Sequence, residues 1–317
     1  RIAAILLVSL NLASRSAMHT LHRHNAVIYA FDQHAQPALT IEAGERVRIE
    51  TYDCFENQID AHHPATGVDW ARINPATGPI YVNGAQPGDV LKVHIESIEV
   101  ADSGVMVVGA GLGIMGHRLD GMTQKIVAIQ DDHLVFNDRL RLPLNKMIGV
   151  IGVAPAGDAI ACGVPDTHGG NMDTKLIGIG ATVYLPVYQP GALLALGDFH
   201  AAMGDGEIGV SGVEIAGHTV VHIDVIKQRP LLHPVVETAD QLAFIASKVT
   251  LDEAIKTATE TAVQYVHEAT GLSLAEATML MSAAGNAEIS QIVDPLMTAR
   301  FCVPKYLLAA YGIQHFG

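Results

Sequence analysis

The sequence predicts a mainly β fold: an antiparallel β-sandwich or barrel-like body with an α+β segment at its C-terminal end. Three observations predict it. Period-two alternation recurs at short intervals through the first two thirds of the chain. No ten-residue helical period separates those runs, so the pattern is not one of βαβ units. After Thr250 the period lengthens, and two capping boxes, Thr250 to Glu253 and Ser273 to Glu276, open helices. The expected division is a leader at 1–17, a β-rich catalytic body at 18–230, and an α+β part at 231–317 packed on the body.

Taken in order, 1–17 is an apolar stretch behind one Arg, too short to span a bilayer. It reads either as a signal fragment or as an upstream leader with the native start at Met18. His24–Phe31 reads as a strand. Glu45–Asp53 alternates, with Val47, Ile49, Thr51 and Asp53 on one face. A carboxylate that leans inward at a strand end needs a partner, so Asp53 is a cap, half of an ion pair, or a ligand. His62 and His63 point opposite ways on an extended chain and precede Pro64, which places them on the surface. Asn74–Pro87 is dense in turn signals. Val90–Val100 is a half-buried strand, and strands follow at Lys125–Ile129 and within Leu134–Leu144.

Gly111, Gly113 and Gly116 satisfy GxGxxG, but no helix follows, so the run reads as a substrate-covering loop and not a dinucleotide site. Ala181–Val187 and Gly217–Val225 are strands, with another starting at Val235. Helices span Leu251–Glu268 and Leu274–Ala284, and Ala287–Val293 returns as a strand.

Composition narrows the function. Across 317 residues the formal net charge is -14, with 49% hydrophobic and 5% aromatic residues. Such a surface repels phosphate backbones and anionic membranes, so neither nucleic acid nor membrane is expected as a partner. The three cysteines, Cys54, Cys162 and Cys302, lack framework spacing, which favours a reducing, cytoplasmic setting. Aliphatic composition and the methionines allow a closed homo-oligomer, a dimer or a tetramer.

Polar and ionisable residues concentrate in two glycine-rich turns, His168–Lys175 and Gly197–Glu207, at the two sides of the Ala181–Val187 strand. This is the candidate active site. GGNMDTK at Gly169–Lys175, YLPV with GA after it, and GDFHAAMGDGE at Gly197–Glu207 closely resemble the acetamidase/formamidase family. TYDCFENQ at Thr51–Gln58, the run Asn74–Ile95 and GVAPAG at Gly152–Gly157 resemble it in the same order. The likeness runs from about Asn25 to Pro304-Lys305. It implies hydrolysis of short linear amides, and it carries Asp53, Asp173, Lys175, His200, Asp205 and Glu207 onto matching positions without assigning their roles.

Amide hydrolysis needs an activated water, an oxyanion stabiliser and a proton for the departing amine. A divalent cation can supply the first two. We therefore expect Asp53, Asp173 and His200 to hold it, with His168 as a fourth ligand or a partner behind them. Mixed His and carboxylate ligation suits zinc; an all-oxygen shell suits calcium or magnesium. Glu207 is the expected general base. Lys175, or the amides of Gly169 and Gly170, would stabilise the oxyanion. Gln58 would contact substrate, and Asp205 is either catalytic or a turn former. Asp198 and His200, two apart on a strand, can share a face. Three alternatives stay open: a cysteine nucleophile at Cys162, a different C–N substrate, and a non-catalytic small-molecule binding sandwich.

Overall fold

The computed structural model describes residues 18–316. The leader assignment therefore lies outside the described residues. Two large sheets face each other across a core built from both. The first has nine strands in the order Met18–Leu21, Glu45–Thr51, Gly217–Ile226, Val90–Val100, Thr182–Pro186, Val235–Glu237, Gln241–Lys248, Met297–Pro304, Asn286–Gln291. The second has eleven, and its centre is Ala192–His200 between Met147–Gly152, Glu214–Ile215 and Ala76–Asn83. All described pairings within these sheets are antiparallel except Met18–Leu21 with Glu45–Thr51 and Leu39–Glu42 with Ala76–Asn83.

The alternation read from the sequence sets which residues enter the core. Val47, Ile49 and Thr51 are buried while Arg46, Arg48 and Glu50 are half-exposed. Leu91, Val93 and Ile95 share one core with Ile148, Leu194 and Leu196 of the opposite sheet. Burial of this apolar surface is the main stabilising term, about 25 cal/mol per Å².

Residues beyond 230 extend the first sheet edge to edge. The strand Gln241–Lys248 is buried on both faces, because Ala243 and Ile245 face the inter-sheet core. Leu242, Phe244 and Ala246 meet Ala258, Ala262 and Val266 of the helix Leu251–Thr270. That helix begins at the Thr250 cap and ends at Gly271 in the left-handed conformation. The second, Leu274–Ala284, has the full capping box of Ser273 and Glu276.

Two readings change. Ala76–Asn83, inside the turn-rich stretch, is a strand that pairs with Ala192–His200. His24–Phe31 splits into a short 3-10 turn and two two-residue strands. The GxGxxG run lies in a turn-rich loop between strands Ser103–Gly109 and Met122–Gln130, with a single 3-10 turn and no α-helix. His62 and His63 are exposed.

Candidate active site

The site forms at the end of Ala192–His200 in the second sheet. Asp198 and His200 close this strand, Glu214 is the cross-strand register partner of His200, and Asp173 follows the strand Gly169–Asn171. Glu207 comes from the Gly-Asp-Gly turn, and Asp294 from the loop between Asn286–Gln291 and Met297–Pro304. Asp173, Asp198, Glu207, Glu214 and Asp294 all line one cavity of about 290 Å³. Its other walls include Cys54, Phe55, Trp70, Asn74, Leu112, Asn171 and Val293.

Two glycines make this convergence sterically possible. A side chain at Gly149 would meet Asp173 Oδ1 at 2.4 Å and Asp198 Oδ2 at 2.7 Å. One at Gly212 would meet His200 Nδ1 at 2.8 Å. The backbone is strained as well: Asp173, Asp198 and Glu207 have φ of 40°, 55° and 46°. Left-handed conformations at non-glycine residues cost on the order of 1–3 kcal/mol each and collect at functional sites.

His200 Nε2 is the hub. It lies 3.1 Å from Glu214 Oε2, 3.4 Å from Asp198 Oδ1, and 3.8 Å from both Asp173 Oδ1 and Glu207 Oε1. None of these contacts is an aligned hydrogen bond: both His200 nitrogens, Asp173 Oδ1, Asp198 Oδ1 and Glu214 Oε2 are buried without a hydrogen-bond partner. Buried polar atoms are rarely left so.

The electrostatics match that picture. Burial pushes Glu207 up to about 8 and Glu214 up to about 7, with neighbouring carboxylates adding to both. Asp173 and Asp294 rise well above the usual carboxylate range for the same reasons. Burial alone would lower His200, but Glu214 and Asp198 hold its imidazole well above its ordinary value. Asp198 falls, because His200 outweighs its burial.

Residues that want a positive charge, and have one imidazole among five carboxyls, are a donor set for a cation. Tetrahedral zinc with bonds of 2.0–2.2 Å spaces its ligands about 3.3–3.6 Å apart. The 3.8 Å separations of His200 Nε2 from Asp173 Oδ1 and Glu207 Oε1 are slightly wider than that. Asp173, His200 and Glu207 each bring one donor atom within 4.8 Å of the others. These residues fit a divalent cation.

The remaining expected site residues lie apart. Asp53 Oδ1 accepts from the amides of Phe55 and Asn57 at 3.0 and 2.7 Å, and its carboxylate lines a separate surface cleft. It caps its own turn, which explains why a carboxylate closes that strand. Burial also pushes it up to about 6. His168 packs edge-on to Phe31, with ring centroids 5.0 Å apart, and does not line the cavity. Lys175 pairs with Asp205 at 2.7 Å, and Asp205 receives both terminal nitrogens of the buried Arg300 at 2.9 Å. Those three form an ion network outside the cavity.

Gly169 and Gly170 are in the ladder with Gly152 and Ile151, and the Gly169 amide donates to Asp166 O. Gln58 exchanges hydrogen bonds with the backbone of Asp69. Cys162 sits in an apolar cluster with Phe31, Ala76, Val150 and Ala195, its thiol pushed up to about 12 by burial, so it is no activated nucleophile.

Glu214 and Asp294 belong to the cavity although no motif marks them, and so does Cys54 of the TYDCFENQ run. Glu214 is a lone acid between Val213 and Ile215, and strand register alone brings it to His200. Asp294 stands in Val-Asp-Pro, 94 residues beyond His200. Asn171 Nδ2 donates to its Oδ2 at 3.1 Å.

Comparison with known proteins follows the same lines. A family model described as the Acetamidase/Formamidase family matches residues 16–162 and 158–308. A crystal structure of a recombinant predicted acetamidase/formamidase from Thermoanaerobacter tengcongensis is 49% identical, with a TM-score of 0.92 over 94% of this chain and 99% of that one. An acetamidase structure from Bacillus halodurans is 46% identical, with a TM-score of 0.91 over 93% and 100%. An acetamidase from Mycolicibacterium smegmatis is 28% identical across 60% of this chain and 63% of the relative. The chain spans less than two thirds of the length of the curated relatives it matches.

Proposed function

The chain belongs to the acetamidase/formamidase family, and from that premise we propose that it hydrolyses short linear amides to carboxylate and ammonia using a cation-activated water. The observation that carries this is the buried triad of Asp173, His200 and Glu207 beside a small cavity, in which Asp173 Oδ1 and both His200 nitrogens have no hydrogen-bond partner. The relatives named acetamidase supply the reaction class.

When bound there, a divalent cation lowers the pKa of a water and polarises the amide carbonyl. The chain's own residues do the rest. Asp173, His200 and Glu207 hold the cation, with zinc suited by the imidazole and calcium the alternative. Glu207 thus serves as a ligand and not as the base. Asp294 is the better proton carrier: it lines the cavity, burial and the neighbouring Asp173 keep it prone to protonation, and Asn171 fixes one of its oxygens. It takes a proton from water and returns it to the departing nitrogen. Phe55, Trp70, Leu112 and Val293 exclude water around the substrate. A volume near the lower end for ligand pockets suits a short amide.

A larger apolar groove of about 940 Å³ shares Leu112 and Glu207 with this cavity, and Leu142, Met115 and Ile208 are exposed on its wall. That supports a homo-oligomer in which a second copy covers this face. The three buried free cysteines support a reducing, cytoplasmic location. No helix among the described residues is long and apolar enough to cross a membrane.

The test is ammonia release from acetamide and formamide. We expect turnover that a chelator abolishes and zinc restores. Turnover that survives complete metal removal would sink the mechanism; no turnover of any short amide would sink the substrate class.

A further inference from the structure

We propose that the cavity holds a second divalent cation, bound by Cys54, Asp198 and Glu214 beside the first. This extends the cation-dependent reading above and rests on it.

The donors around the cavity fall into two triads that share no residue. One is Asp173, His200 and Glu207; the other is Cys54, Asp198 and Glu214. In each, the donor atoms lie within 4.8 Å of one another, and all six residues are buried. Asp198 and Glu214 are 3% and 1% exposed, and Asp198 Oδ1 and Glu214 Oε2 have no hydrogen-bond partner. Uncompensated groups this deep are costly.

A cation on the first triad takes away the one cationic side-chain contact they have. Among the described residues, the only cationic group in contact with Asp198 or Glu214 is His200, at 3.4 and 3.1 Å through Nε2. That nitrogen is the one His200 would give to the first cation. With it engaged, His200 offers them no proton, and two buried carboxylates and a thiol keep no positive charge from the protein's described residues. Two cations about 3.5–4 Å apart are a recurrent hydrolytic arrangement. The two triads meet at His200, whose Nε2 lies 3.1 to 3.8 Å from carboxylates of both.

Donor chemistry also sets the choice of ion. A thiolate selects zinc over calcium or magnesium. Cys54 would act through a sulfur that ligation deprotonates. The competing account is that Cys54 is an inert apolar filler, since it also packs with Phe55, Ile59, Val105 and Val107. The two accounts predict different stoichiometry.

The full chain would be stripped with a chelator, reloaded with zinc, dialysed and analysed for elemental content. We expect two zinc per chain in the wild type and one in Cys54→Ala, with unchanged far-UV circular dichroism. Reloading with cobalt(II) should give a thiolate-to-cobalt charge-transfer band in the near-ultraviolet that Cys54→Ala lacks. If that variant does not fold, the wild-type stoichiometry and band decide alone. One zinc in the wild type, two retained in Cys54→Ala, or a wild-type spectrum without the thiolate band would each overturn the second site. One zinc with chelator-sensitive amide hydrolysis leaves the proposed function intact. No zinc at all removes both.

Discussion

Two buried carboxylate environments in this molecule behave oppositely. Glu237 in the C-terminal part is satisfied on every side. Its Oε1 accepts from Lys305 Nζ at 2.6 Å and pairs with His315 Nδ1 at 2.8 Å; its Oε2 accepts from Tyr184 Oη at 2.7 Å and the Phe316 amide at 3.1 Å. Burial is overcome and the carboxyl is held down to about 2. Glu207, as deeply buried, meets other carboxyls and one imidazole, and is pushed up to about 8. Where a charge serves structure, this fold supplies its counter-charges from its own chain. Around His200 it does not, and a bound cation is what such an arrangement needs.

The largest effect that could break this contrast is at the hub. His200→Ala should lower amide turnover by roughly 10³-fold or more, the scale of losing a principal catalytic group. Metal content should fall with it. The melting temperature of the metal-free protein should fall, because the variant strands the buried Asp198 and Glu214 without their cationic contact. A stable, metal-loaded and active variant would contradict the role.

Asp294→Asn sharpens the division of labour. It should lower kcat by about 10²–10⁴-fold, the range for a lost acid–base group, while zinc content stays at the wild-type value. Loss of zinc in step with activity would instead make Asp294 a ligand.

Much of this site was legible before the structure. His200 and Asp198 on one strand face, Asp173 in the preceding glycine-rich turn, and Glu207 after Gly-Asp-Gly all meet. What was not legible is non-local. Glu214 reaches His200 through register across a two-residue strand, and Asp294 through a loop just after the run Ala287–Val293 that reads as a returning strand. Asp53 stands apart from the first four, and a strand-end carboxylate looks the same in sequence whether it caps a turn or binds an ion; here its Oδ1 accepts from the amides of Phe55 and Asn57.

The fold shows the same limits. Val90–Val100 and the two helices carried clear periods. Met147–Gly152 and Ala192–His200, buried on both faces, have no alternation to read. Gly78 and Pro79 disguised Ala76–Asn83 as turns, and Gly78 is needed because a side chain there would meet Ala195 Cβ at 2.6 Å and Leu194 O at 2.7 Å.

The structural side of the contrast gives smaller effects. Arg300→Ala should destabilise the chain by about 3–5 kcal/mol, the cost of stranding the partners of a buried ion pair, read as a lower urea midpoint. Arg300 is 1% exposed and braces Asp205 and Glu288. Glu237 should show in acid. Its folded value lies below the ordinary 4.5, so its contribution is full above that pH. It is lost as the pH falls toward about 2, and Glu237→Gln should flatten the stability profile in that window. Lys175→Ala should change least: its pair with Asp205 is partly exposed, worth about 0–1 kcal/mol, and turnover should stay within about twofold. A large loss of kcat would return Lys175 to the oxyanion role.

Anomalous diffraction at the zinc edge, from crystals of active protein, tests the central claim most directly. The account predicts a strong peak in the cavity, about 2.0–2.2 Å from His200 Nε2 and from oxygens of Asp173 and Glu207. A catalytically active crystal with no anomalous density among these residues would contradict it.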